Sequence, residues 1–358
     1  MDERIFPLEI GQPIPEWNLK HRLPIDKPVS PECKDTGTIF RINSTYMDVT
    51  DQPFKDRQWQ ATGVLLSVLI SGILLAGLVK ITLLPSLTMD VPTFFIYFIG
   101  VASIISFCHK AFKYGRDEFF SLSRRPIRFN RKEKKIYAIR RRRFFAKPGQ
   151  GDITWEIPWN EKAIFCIHKG YFHHSPYYHI RHYEVDENDN VIRAFSIGRK
   201  WEEKENLQGL LSQWNYWCWF MNHGPEKLPK PPLFFSEREN IQESFLFCLY
   251  SVGLRASPAY RISMMPFILL MTAHRLIALW TCRDPIWPLC IERVSAISPD
   301  ALYDEPSPGT PVGWAQTVHA LDRDKYPDNP KCDVPNWSGE KNPALNALLW
   351  DEDQPPRQ

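Results

Sequence analysis

Two long apolar runs, residues 61–79 and 91–108, dominate the hydrophobic pattern of the chain. The first is nineteen residues without a charge. Crossing about 30 Å of hydrocarbon at about 1.5 Å per residue takes about 20 apolar residues, so the runs predict a membrane-spanning α-hairpin over 59–112. A connector over 85–90 joins them. Lys80 and His109 flank the runs within reach of headgroups, and Trp59 and Tyr114 sit where interfacial aromatics belong.

Beyond the hairpin the period changes from helical to alternating. Residues 125–139 read as a β-hairpin, with Ile127, Phe129, Ile136 and Ala138 on alternate positions around a polar turn. Residues 153–157 and 163–167 read as short strands, and 177–184 and 191–197 as a second hairpin around the acidic turn 186–190. About six antiparallel strands at this spacing predict a small barrel or sandwich. An amphipathic helix over 201–222 follows, its stripe formed by Leu207, Leu210, Leu211, Trp214, Trp217 and Met221. The fold class is therefore a membrane α-hairpin plus α+β, a β barrel or sandwich capped by one helix, with extra C-terminal helices.

The remaining segments are less regular. Pro7, Pro13, Pro15, Pro24, Pro28 and Pro31 break any helix in residues 1–58, leaving one strand over 38–42 in a segment expected to drape over the body or stay partly mobile. Ser236 and Glu239 have capping-box spacing and predict a helix in the extension 226–295. In that extension the longest run free of charge and histidine, 262–273, has twelve residues. Twelve is too short to cross, which predicts a helix packed on the barrel or lying in the membrane interface. Ten prolines and eleven acidic residues over 296–358 predict an extended acidic tail. The expected parts are thus 1–58, 59–112, 113–225, 226–295 and 296–358.

Charge orients the hairpin. The chain nets only +3, but residues 110–147 carry fifteen basic against three acidic side chains, a net of +12. Positive flanks stay cytoplasmic, so both termini are expected in the cytoplasm. Arg140, Arg141, Arg142 and Arg143 are the expected contacts to anionic membrane lipid. Nucleic acid is the other use of such a stretch, but a hairpin already at the bilayer makes lipid and topology sufficient. Eight cysteines without a C-x-x-C pair fit a reducing compartment. Nothing in the pattern sets an oligomeric state.

Two spans, a basic junction and about six strands capped by one helix resemble the bacterial membrane-anchored pleckstrin-homology-like proteins. The stretch Arg125 to Ile139, followed by Ile153-Thr-Trp-Glu-Ile-Pro-Trp, also resembles a family of uncharacterised two-span bacterial proteins. Those are encoded beside secreted antibacterial effectors, type VI effectors included. The resemblance covers roughly residues 55–225 and carries no catalytic residues. It implies a bacterial inner-membrane protein with an immunity or adaptor role.

Candidate chemistry changes this picture little. Five histidines fall between His168 and His182, but His179 and His182 point to opposite faces of a strand and no spaced carboxylate completes a metal set. Histidines on a wet sheet are the expectation. No Gly-rich phosphate loop, H-E-x-x-H or G-x-S-x-G motif occurs, so neither an enzyme nor a cofactor is expected; an unrecognised membrane enzyme is the last alternative. The expectation is a binding protein for a protein partner, most sharply an immunity protein capturing a toxin. Its anchors would be Tyr216, Trp219 and Phe220 off the helix stripe, the alternative for these three being burial under the following helices, with Tyr171, Phe172, Tyr177 and Tyr178 on the strands.

Overall fold

The computed structural model describes residues 10–30, 32–83, 91–141, 152–172, 175–202, 207–253, 257–299, 301 and 303–323. The connector 85–90, His173, His174, Arg142, Arg143 and residues 324–358 lie outside these, as do the side chains of Arg141, Tyr171 and Phe172.

A short helix, α1 (Glu16–Lys20), precedes the strands β1 (Ile39–Asn43) and β2 (Tyr46–Val49). Two long helices follow, α2 (Gln52–Thr82) and α3 (Val91–Glu118). The sheet then resumes with β3 (Ile127–Asn130), β4 (Lys135–Arg141) and β5 (Asp152–Pro158). Met47 of β2 pairs with Phe129 of β3 and Val49 with Ile127. The helical hairpin is therefore an insertion between two neighbouring strands of one antiparallel sheet. Segment 1–58, expected to drape, supplies two of its strands, and segments 1–58 and 113–225 share that sheet and a core.

A second antiparallel sheet holds β6 (Ile164–Phe172), β7 (Ser175–Val185) and β8 (Val191–Glu202), in that order. The chain changes sheets between β5 and β6, at the turn 159–163. Ile39, Met47, Ile127, Phe129 and Ile136 from the first sheet meet Phe165, Ile167, Ile180 and Ile197 from the second in one core. Helix α4 (Leu207–His223) completes that core. It starts later than residue 201, because Trp201 and Glu202 continue β8.

Both faces of α4 are covered. The apolar stripe meets the sheets, while its polar side chains hold the N-terminal segment. Asn215 donates to the Ser30 and Glu32 carbonyls at 2.7 and 2.8 Å. Trp214 Nε1 donates to the Pro24 carbonyl at 2.8 Å, and Gln213 to the Asp35 carboxylate at 2.8 Å. The Asn215 and Trp214 bonds satisfy backbone carbonyls of the proline-rich segment that have no ladder partner.

The second sheet is also buried on two sides. Leu23 N–H donates to the Phe165 carbonyl at 2.7 Å and Ile167 N–H to the His21 carbonyl at 3.0 Å, so residues 21–23 run along β6. Asn18 donates to the Tyr183 hydroxyl at 2.6 Å. Consequently His179 and His182 are buried rather than wet, at 0 % and 6 % exposure. Burial, helped by Arg193, pushes His182 from its usual 6.5 down to about 4. The folded state thus holds His182 neutral while the unfolded chain protonates below pH 6.5. Stability from this group is complete above 6.5 and falls as pH drops towards 4, by about 3 kcal/mol in all. Denaturant titrations of wild type and His182→Gln at about pH 7.5 and about pH 4.5 check this. The variant should lose less stability on acidification, and an unchanged difference would assign the acid sensitivity elsewhere.

After α4 come α5 (Ile241–Gly253), α6 (Pro258–Ser263), α7 (Met265–Thr281) and α8 (Leu289–Val294). Asn240, not Ser236, caps α5: its side chain accepts from Glu243 N–H at 2.9 Å. Glu239 is engaged elsewhere, by Arg275. The expected acidic tail is partly folded. Strand β9 (Asp304–Glu305) pairs with β1, where Arg41 holds Asp304 at 3.0 and 2.6 Å, and α9 (Gly313–Leu321) packs beside α5. The Glu243 carboxylate accepts from Trp314 and Ala315 N–H at 2.7 and 3.0 Å, placing an anion on the helix N-terminus. Gly313 is required there: its φ is +83°, and a Cβ would lie 2.7 Å from that carboxylate.

Helices α2 and α3 include segments long and apolar enough to cross a membrane, Phe54–Thr82 and Pro92–Arg116. Only 11 % and 6 % of their apolar windows are buried, whereas the core helix of a soluble domain is mostly covered. Val68, Leu69, Ile73, Leu75, Phe94, Phe98 and Ile99 all face outward. Buried charge fastens the foot of this hairpin to the body. Arg57 and Glu118, both fully buried, lie 3.4 Å apart, and Arg57 donates to the Leu122 carbonyl at 2.9 Å. Arg275 of α7 binds both Glu239 oxygens at 2.6 and 2.7 Å and donates to Gln58 and to the Phe54 carbonyl of α2.

Candidate functional site

Of the residues expected as anchors, four are buried: Tyr178, Tyr216, Trp219 and Phe220. Tyr216 and Phe220 are fully buried and Trp219 is 7 % exposed. They fall off the sheet-facing stripe, yet the N-terminal segment and the loop bearing Leu228 and Phe234 cover that side of α4. The Tyr216 hydroxyl donates to the Pro229 carbonyl at 3.1 Å. Tyr178 is buried in the same core and Tyr177 is half-buried. Arg140, expected on lipid, instead lies 3.5 Å from the buried carboxylate of Asp51 and 4.8 Å from the Phe195 ring, because β4 directs it inward over the sheet.

The histidine-rich stretch is likewise packed. His168 and His179 rings stand 4.9 Å apart, with His168 Nδ1 at 2.8 Å from Asn18 and 3.2 Å from the Tyr183 hydroxyl. His182 packs on Phe165, 5.1 Å between centroids. Among the described residues no group of three or more His, Cys, Asp or Glu is placed to hold a metal. Burial also pushes the Cys166 thiol up to about 12, so it stays protonated near neutrality.

A cleft at the foot of the hairpin is the concave feature best suited to a ligand. Its volume is about 470 Å³, within the range of small-ligand or side-chain pockets. Three walls come from Lys55 and Gln58 of α2, Phe247, Tyr250 and Ser251 of α5, and Trp314, Thr317 and Leu321 of α9. Leu233 and Phe235 close the floor. Aromatic contacts shape it: Phe235 stacks on Phe247 at 5.7 Å, and Tyr250 lies 4.5 Å from Trp314. Lys55 Nζ stands 5.4 Å from the Phe235 ring.

Two polar atoms in this lining are buried without a hydrogen bond, Trp314 Nε1 and Thr317 Oγ1. A buried donor left unmade costs about 1–3 kcal/mol, but both atoms are covered rather than turned to the cleft. Apolar and aromatic walls with a lysine at the side suit an apolar group. Sequence reading missed this cleft because its lining comes from five segments spread over residues 36–321. The available signal was Trp314, an aromatic isolated within a proline-rich, acidic stretch.

No curated protein and no solved structure matches the chain. Residues 104–299, more than half of the chain, match a family described as of unknown function, DUF6708. The match takes in the foot of α3, both sheets from β3 onward, α4, and the helices of α5 to α8, and the chain belongs to that DUF6708 family of unknown function.

Proposed function

We propose that this chain is a non-catalytic binding protein anchored in a membrane by the α2–α3 hairpin, and that the cleft at its foot receives an apolar anchor of a protein partner. The observation that carries this reading is the cleft itself, apolar and aromatic, beside two helices whose apolar side chains face outward. The +12 flank that follows the second run supports a cytoplasmic body and cytoplasmic termini. Two sheets sharing a core with a following helix support the pleckstrin-homology-like reading of the module. The sequence resemblance adds the bacterial inner membrane and the sharpest version, an immunity protein that holds a secreted antibacterial toxin. An adaptor in a membrane or secretion assembly uses the same cleft and is the second reading.

Ser251 lines the cleft and is exposed, so Ser251→Trp fills it without touching the core. Partner binding should fall by about tenfold or more, about 1.4 kcal/mol, at unchanged abundance. A photo-crosslinking residue at the same position in living cells should capture a protein, and the captured species should be lost on Ser251→Trp. A filled cleft with full binding, or full protection against a neighbouring toxin, would remove the cleft from the function. Orientation has its own check. In a Cys108→Ser background, exposed Cys290 should resist an impermeant thiol reagent until cells are permeabilised. Labelling of intact cells would put the cleft outside.

A further inference from the structure

Helix α7 buries its one arginine and is apolar on the outside. Its buried face, Ile268, Met271, Thr272, Arg275 and Ala278, packs towards α2 and α5. Its exposed face reads Pro266, Leu269, Leu270, Ala273, Ile277 and Trp280, at helical spacing and with no charged or hydrogen-bonding group other than the indole. Leu269 is 54 % exposed, Ile277 44 % and Trp280 85 %. A helix facing water carries the opposite arrangement. Among the polar side chains of the helix, Thr272 donates to the Ile268 carbonyl, Arg275 binds Glu239, His274 lies 3.1 Å from Thr62 Oγ1, and Thr281 donates to the Ala278 carbonyl.

The level of α7 on the hairpin is fixed by its contacts. Ala278 joins Ala61 and Val64 of α2 and Ala111 of α3 in one cluster, where the first apolar run begins. Phe267 lies 6.0 Å from the Trp59 ring. Phe267 and Ala278 are eleven residues apart, about 16 Å along α7, yet they meet α2 at positions 59 and 61–64, a stretch of about 3–8 Å. Helix α7 thus crosses α2 at one level instead of running beside it. A helix that crosses a span where its apolar run starts, with an apolar outer face, has the geometry of one lying in the interface plane. Ile262 just before α7 is exposed as well, as are Phe112 on α3 and Phe120, whose N–H donates to Thr281 at the end of α7.

We infer that the outer face of α7 is immersed in the lipid interface, so that the membrane itself is its partner. This rests on the hairpin spanning a bilayer, and continuity with the outward apolar faces of α2 and α3 is what selects lipid over a protein cover. It also ties the membrane to the cleft, because α7 holds α5 through Arg275, 4.1 Å from the ring of Phe247 in the cleft wall.

The test uses the full chain in phosphatidylethanolamine–phosphatidylglycerol nanodiscs, with Cys108, Cys282, Cys290 and Cys332 changed to Ser. Spin labels are attached through Ile277→Cys and Leu269→Cys, with Phe98→Cys as a span reference and Asn188→Cys as an aqueous one. Relaxation by oxygen and by a nickel chelate is compared. Oxygen should exceed nickel on α7 as it does at position 98, with the reverse at 188. Nickel access on α7 beside a lipid-like position 98 overturns this inference alone. Labels on α7 shielded from both reagents also overturn it, since a second copy or another protein would then cover the face. An aqueous position 98 overturns the membrane reading and this inference with it.

Discussion

Arg275→Met should deplete the protein from cells and abolish its cooperative unfolding transition. Arg275 and Glu239 are 0 % and 5 % exposed, and the guanidinium also supplies Gln58 and the Phe54 carbonyl. Removing the arginine leaves a carboxylate buried with no cation, a cost of about 3–5 kcal/mol. That is much of the roughly 5–15 kcal/mol by which a domain is stable. The ion pair is also the bolt between α7, the loop before α5 and the first turns of α2, so its loss loosens the foot of the hairpin. The double variant Arg275→Met, Glu239→Leu removes both charges and should recover most of the loss, because paired removal avoids the stranded carboxylate. Membrane-fraction abundance and the thermal midpoint in detergent report both. If the single variant matches wild type in both measures, the pair does not hold the hairpin.

The contrast between what was legible in the chain and what was not follows the range of the interactions. The long helices were visible because their signal is the sum of apolar residues within one segment, 61–79 and 91–108. Strands β3, β4, β7 and β8 were visible because alternation and turn residues are local. What pairs with what was not: β2 and β3 are neighbours in the sheet though the whole hairpin separates them in the chain. Ser236 and Glu239 had the right spacing for a cap, but Arg275, 36 residues away, takes the Glu239 carboxylate, and the cap passes to Asn240. A charge at low effective dielectric outweighs one capping bond, which is worth about 1 kcal/mol.

The burial of Tyr216, Trp219 and Phe220 follows the same rule. A helical wheel makes the last two turns of α4 apolar nearly all round, which fits either burial or a partner surface and does not say which segment would cover them. The structure fills the side of α4 away from the sheets with the chain's own proline-rich N-terminal segment, held by Trp214, Asn215 and Gln213. Proline content signalled irregular backbone correctly, but irregular backbone packs well where side-chain amides supply its hydrogen bonds.

Phe220→Ala separates a core role from a partner-anchor role for that face of α4. As a surface anchor, Phe220 would lose partner binding at normal abundance. Its side chain is fully buried in the shared core of the two sheets and α4, so truncation opens a cavity and should cost about 3–5 kcal/mol. The variant is therefore expected to be depleted, with a denaturant midpoint well below that of wild type. Whatever folded protein remains should bind its partner as wild type does, since the cleft is built by α2, α5 and α9 and not by α4. Ser251→Trp should show the opposite combination, normal abundance without binding. A stable Phe220→Ala protein that fails to bind would return the partner surface to α4, and would require the N-terminal segment to leave that helix when the partner arrives.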